Sequence, residues 1–240
     1  MKLFIALMLC ALLPSMTVTG AQEYVILIHG LGRTPLSMKR VEWDLQRAGY
    51  QVINLSYPSR RASVEELSEN RVAPVVAKIP ATAKINFVTH SLGGIILRQY
   101  LSRHEMANLG RVVMLAPPNQ GSELSDSFRR CEWTRLILGP AGCELGTLAS
   151  DIPQRLGPVK CDVGIIAGDV SLNPFFSLLV RGPSDGKVSV ARAKVDGMND
   201  FLVVHHSHTW MMWRKDVLLQ IQSYLKTGVF ARVNNGQSSV

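Results

Sequence analysis

Ser91 is the residue whose surroundings most resemble chemistry. It stands in FVTHSLGGIIL, residues 87–97, between an apolar run ending at Val88 and another opening at Ile95. The pattern is close to G-x-S-x-G, in which a serine on a sharp strand-to-helix turn has its hydroxyl pushed out of the sheet. So tight a turn needs small residues two before and two after the serine. Gly93 and Gly94 meet that need on the far side, and Thr89 stands where the first glycine belongs. A β-branched residue suits a strand end, so the expected effect is slightly looser packing, with a flipped turn as the alternative. A serine hydroxyl is a weak nucleophile until a base takes its proton. After the later strands come candidate histidines at His205, His206 and His208 and candidate aspartates at Asp169 and Asp185, so the order Ser, Asp, His is available. The competing role for Ser91 is an ordinary helix N-cap.

The elements that must hold these residues follow from the apolar pattern. EYVILIHG, YQVINLSYP, AKINFVTH, GRVVMLAPP, CDVGIIAGD and DFLVVHH read as six strands, each a near-continuous apolar run. Helices are expected over 36–48, closed by Gly49, then from the Ser63/Glu66 capping box to about Lys78 with Pro74 inside, in SLGGIILRQYLSRH, and in the closing TWMMWRKDVLLQIQSYL. Strands alternating with helices predict an α/β fold with a mainly parallel sheet covered on both faces. Ligands bind beyond the carboxyl ends of such strands, where Ser91 falls. Residues 118–160 are too long for a simple connection. Leu124, Phe128, Cys131 and Leu138 recur there at roughly helical spacing, with Trp133, Leu136 and Ile137 adding apolar bulk. That face either packs on the sheet or covers Ser91 as a cap, which would make the pocket apolar. No charged residue stands out as a reader of a charged substrate.

The bulk numbers fit one globular domain: 240 residues, 47% hydrophobic and 18% charged, with a formal net charge of +8. The basic residues are scattered, as at Arg60-Arg61, Arg129-Arg130 and Arg214-Lys215, so they predict a basic solvated surface rather than a nucleic-acid interface. Weak attraction to an anionic membrane surface is the sharper alternative. Lys2 and the apolar stretch LFIALMLCALL, followed by small residues up to Ala21, read as a secretory signal over 1–21. Residues 22–226 would then be the mature domain, 227–240 a flexible tail, and the compartment periplasmic or extracellular. Cys10 would leave with the signal. In an oxidising compartment Cys131 and Cys143 could close a small disulfide loop, leaving Cys161 free and packed as a small hydrophobe. No Cys/His spacing suggests zinc or another metal.

VILIHGLGRTPLSM, FVTHSLGGIILRQYL, LAPPNQGSE, SDGKVSV and SHTWMM together resemble the α/β-hydrolase superfamily, among its small lipase-like and esterase-like members. IHGLG and THSLGG are the specific pieces. The resemblance implies a Ser-Asp-His triad, no cofactor, and hydrolysis of an acyl ester, whether small or lipid, with no obligate protein partner. It implies Ser91 as nucleophile and, as base, His208 in the loop before the closing helix, with His206 and His205 as alternatives. It implies Asp185 as the acid, 23 residues before His208, with Asp169 as the alternative. The oxyanion hole it implies is built from the backbone N–H groups of Leu31 and Leu92. The same fold leaves open an amidase, thioesterase or acyltransferase, and a non-catalytic envelope-binding module.

Overall fold

The computed structural model describes residues 22–232. The expected signal segment and residues 233–240 of the expected tail lie outside them. Six strands, β1 (Glu23–Ile28), β2 (Gln51–Asn54), β3 (Lys84–His90), β4 (Leu109–Leu115), β5 (Val163–Gly168) and β6 (Asp200–Val204), form one sheet. Its order is β2-β1-β3-β4-β5-β6, and every neighbouring pair is parallel. The chain adds β2 on one side of β1 and β3 on the other, so the direction of winding reverses at β1. A reversal of this kind opens a crevice at the carboxyl ends of the two strands involved.

The helices are α1 (Lys39–Arg47), α2 (Val64–Leu67), α3 (Ala73–Val76), α4 (Leu92–Arg103), α5 (Glu123–Phe128), α6 (Glu132–Cys143), α7 (Ile152–Arg155), α8 (Pro174–Leu179), α9 (Val190–Ala193) and α10 (Lys215–Thr227). Side chains alternate across each strand, and the core divides accordingly. Val25 and Leu27 face α1 and α10 through Val41, Leu45, Val217 and Ile221. Ile26 and Ile28 face the other way, toward Val64, Leu67, Ile95 and Ile96. Both faces are therefore dry, which is why the strands read as unbroken apolar runs.

Ser63 opens α2 with the expected capping box: its hydroxyl accepts from Glu66 N, and Glu66 returns to Ser63 N. The expected single helix to Lys78 is instead interrupted by a π turn at Ser68–Val72 before α3. Pro74 sits in the first turn of α3. A proline ring clashes with the carbonyl four residues back, and a π turn is one way a helix accommodates such an insertion.

The tail differs from expectation where it is described. Gly228 (φ 81°) ends α10 in the left-handed conformation, and Phe230 is buried beside Tyr224 with its N–H on Asp200 Oδ2, 2.8 Å away. The apolar Phe230 anchors a segment that its polar neighbours disguise. The Cys131–Cys143 disulfide is also absent, since both thiols are free, as is that of Cys161. The residues between the first two form α6, broken only at Gly139, instead of the small loop a bridge would close.

Candidate active site

The turn after β3 carries Ser91 at φ 54°, ψ −123°. Non-glycine residues seldom occupy positive φ, and where they do the strain marks functional turns. Ser91 N donates to Leu115 O of β4 at 2.8 Å, and Gly94 N donates to Ser91 O at 2.9 Å. The serine makes no side-chain cap to α4; it lines a cavity instead. Gly93 explains how α4 can start so abruptly, because a Cβ there would lie 2.2 Å from Ile28 O of β1. Thr89 does not flip the turn. It is buried, and its hydroxyl has no hydrogen-bond partner.

Asp185 and His208 meet beside this turn. His208 Nδ1 donates to Asp185 Oδ2 at 2.7 Å, with side-chain exposures of 4% and 1%. That bond fixes the tautomer, leaving the lone pair on His208 Nε2. Asp185 Oδ1 accepts from the N–H groups of Lys187 and Val188, both at 2.9 Å. Gly186, at φ 95°, makes the turn that aims them. His208 N also donates to Asp185 O at 3.1 Å. With Asp185 N donating to Val188 O at 3.2 Å, the acid is held by five hydrogen bonds, two to His208 and three within its own loop.

The alternative candidates stand elsewhere. His205 meets Asp169 at 3.0 Å and is 87% exposed. His206 meets Asp216 at 2.7 Å. Neither lines the cavity.

The loop after β1 faces Ser91 from the opposite side. Gly30 must be small, because a Cβ there would come 3.1 Å from Ser91 Cβ and 2.9 Å from His90 Nδ1. The loop is pinned by Arg33 N to Gly30 O and by Gly32 N to Ser59 Oγ at 2.9 Å. Beneath it, Tyr57 stacks on His29 at 4.0 Å and donates its hydroxyl to His29 O. Burial pushes the Tyr57 hydroxyl up and His29 down from their ordinary values, so both stay neutral. Among the described residues no hydrogen bond uses the N–H of Leu31 or Leu92. Free donors at these two positions are what an oxyanion requires. Sequence reasoning missed Tyr57 and Ser59, whose contacts bridge 28 and 27 residues.

His90 lies between these groups. Its Nε2 donates to His208 O at 3.0 Å, and its ring tilts against that of His208. Its Nδ1 is therefore a bare acceptor with no partner. Burial first, then the nearby His208 and Lys187, holds its pKa well below the ordinary histidine value.

The cavity holds about 180 Å³ and is lined by Ser91 and His208, by Leu124, Phe128 and Leu138 of the 118–160 segment, and by Phe176 of α8. The apolar face of that segment therefore lies against the serine, although Cys131 is exposed. Trp133, Leu136 and Ile137 point to solvent, at 78%, 73% and 59% exposure. Two cationic side chains, Arg33 and Lys187, also line the cavity. Among the described residues, no group of His, Cys, Asp and Glu is arranged to hold a metal.

No protein-family model matches the chain. No curated protein matches it either. Solved structures do. The mature lipase BlEst2 of Bacillus licheniformis superposes with a TM-score of 0.66 at 17% identity, covering 87% of this chain and 92% of its own. A metagenomic carboxyl esterase gives 0.62 at 24% identity, over 81% of this chain and 67% of its own. Tomato methylketone synthase I gives 0.56 at 11% identity, over 87% of this chain and all (100%) of its own. The fold is that of the α/β-hydrolases, as the sequence motifs led one to expect.

Proposed function

We propose that this protein is a serine hydrolase that cleaves carboxyl esters through Ser91, His208 and Asp185. The observation that carries the reading is the Asp185–His208 hydrogen bond, buried at 2.7 Å beside a serine held in a strained turn. The lipases and esterases among the structural neighbours support an ester substrate. At such low identity they do not fix the acyl bond.

In this reading His208 Nε2 takes the proton of Ser91 as Oγ attacks the substrate carbonyl carbon. Charge develops on the carbonyl oxygen, which the N–H groups of Leu31 and Leu92 receive. His208 then hands the proton to the leaving alcohol, and an acyl-serine remains. Water attacks it, deprotonated by His208, which returns that proton to Ser91 Oγ as the acyl–oxygen bond breaks and the carboxylic acid leaves. Asp185 holds the tautomer and stabilises the imidazolium without taking the proton. The two N–H groups on Asp185 Oδ1 hold the carboxylate in place for that task. The wall of Leu124, Phe128 and Leu138 gives the acyl chain an apolar surface to lie on. Lys2 and the apolar run after it place the enzyme, in this proposal, in the periplasm or outside the cell.

A fluorophosphonate probe should label the wild-type protein and not Ser91→Ala. Turnover of p-nitrophenyl esters of graded chain length should fall as the chain outgrows the cavity. A folded protein that neither reacts with the probe nor turns over esters is a binding module, and the reading fails.

A further inference from the structure

The cavity lining contains two cations and no carboxylate. Arg33 comes from the loop after β1. Lys187 comes from the loop after β5, next to Asp185. These strands flank β3 and β4 in the sheet, so the two side chains approach the serine from different sides. Burial lowers the Lys187 ammonium from its ordinary value, the nearby Arg33 adds to that, and Asp185 opposes it in part. Neither the Lys187 ammonium nor the Arg33 guanidinium forms an ion pair or hydrogen bond among the described residues, where Arg111, Arg129 and Arg192 all do. Asp185 offsets part of this for Lys187 but makes no ion pair with either cation. Its side chain is buried, one oxygen accepts from His208, and the other accepts from backbone.

A half-buried lysine without a partner is uncommon, since burial disfavours the charge unless something opposite in sign meets it. A second cation facing it makes the cost larger. The loop has no need of a cation at this place, because the bonds to Asp185 use the backbone N–H of residue 187, which any side chain would supply. The missing partner is an anion that enters the cavity.

We propose that Arg33 and Lys187 form an anion subsite, and that the preferred substrate is an ester carrying a phosphate or carboxylate close to its scissile carbonyl. The inference rests on Ser91 being the acyl acceptor of that cavity, but the subsite can be measured without turnover. An anion in that position binds the two cations while the apolar wall of Leu124, Phe128 and Leu138 takes the hydrocarbon part. The substrate is then anchored at both ends of the reacting bond, which holds the carbonyl near Ser91.

Two measurements test this. The first is calorimetric binding of octyl phosphate and of octanol to the full-length mature chain, which share a hydrocarbon tail and differ in charge. Octyl phosphate should bind at least tenfold more tightly, and that advantage should disappear in the Arg33→Gln/Lys187→Gln double variant and survive in Lys187→Arg. Equal binding of the two ligands, or an advantage that the double variant keeps, overturns the subsite whether or not the protein is an esterase. The second compares kcat/KM for charged and neutral esters in two arms. One arm sets the p-nitrophenyl monoester of glutaric acid against p-nitrophenyl butyrate, placing the anion on the acyl part. The other sets a monoacylglycerol phosphate against the monoacylglycerol, placing it on the alcohol part. In at least one arm the charged-to-neutral ratio should exceed ten and fall about tenfold or more in the double variant. An oxyanion forms on every one of these substrates, so cations that served only the transition state would leave the ratio unmoved. An unmoved ratio rejects the proposal. Loss of fluorophosphonate labelling, by contrast, would remove the hydrolase reading and leave the binding result standing.

Discussion

His208–Asp185 and His206–Asp216 are the same pair of residue types at the same distance, 2.7 Å, and two residues apart in the chain at the histidine end. They are opposite in setting. The first is almost fully enclosed, and its carboxylate also accepts two backbone N–H groups; the second ends on a 60% exposed aspartate. Distance alone therefore does not separate the pair proposed for catalysis from the other. In water, a charge gains little from a partner that solvent can replace. In the enclosed site no water competes, so orientation and tautomer are set by the protein. The difference between the two lies in what surrounds them, and each part of that difference can be removed.

The largest effect should come from the enclosed pair. His208→Ala, or Asp185→Asn with its wrong-tautomer amide, should lower kcat by roughly a thousandfold or more, against less than about twofold for His206→Ala or Asp216→Asn. Steady-state kinetics on a p-nitrophenyl ester, with folding checked by circular dichroism, decides it. An active His208→Ala and an inactive His206→Ala would reverse the assignment.

The next effect concerns acid. His90 packs on His208 and is kept neutral by burial. The unfolded chain takes up a proton at this residue as pH falls through the ordinary histidine value of about 6.5, and the folded chain resists it. The stability it contributes is therefore complete above that pH and is lost as pH falls toward the lowered folded value. His29 shifts the same way. The Tm of the wild type should drop between pH 7 and pH 5, and His90→Gln should recover at least about 2 °C of that drop. An identical drop in the variant would place the acid sensitivity elsewhere.

A smaller change should come from Thr89, the departure from the usual motif. Its buried hydroxyl is unpartnered, and such a group costs about 1–3 kcal/mol. Thr89→Val keeps the shape and should raise Tm by a few degrees with turnover preserved. A fall in Tm would mean that the hydroxyl is satisfied in solution. The smallest effect belongs to the exposed pair. Asp216→Asn should cost at most about 1 kcal/mol, shrinking further in high salt, as chemical denaturation in two salt concentrations would show.

Much of this was legible in the chain. The six strands follow from apolar runs of the right length, and the tight turn from Gly93 and Gly94. The choice of Asp185 over Asp169 and of His208 over its neighbours rests instead on the resemblance of SDGKVSV and SHTWMM to the acid loop and last motif of the α/β-hydrolases. What could not be read depends on contacts between distant segments. The stack of Tyr57 on His29 joins residues that no local pattern links. Lys187 reads as an ordinary loop charge until the fold brings Arg33 to the same cavity, which is why no residue was expected to read a charged substrate. The disulfide failed for a related reason: spacing of cysteines measures the chain, and a helix between them changes what the spacing means. Phe230 was hidden by a polar tail whose composition says nothing of one anchored ring.

The backbone at Ser91 bears on how the protein could change over time. Its φ of 54° suits glycine and disfavours any residue with a Cβ. Replacement by glycine would relax the turn and delete the hydroxyl together. A lineage screened only for resistance to heat would be drawn toward that replacement, whereas one screened for turnover would hold the serine against a steady pull. Position 91 is thus a place where selection for durability and selection for chemistry point in opposite directions, and its occupant records which of the two has been acting.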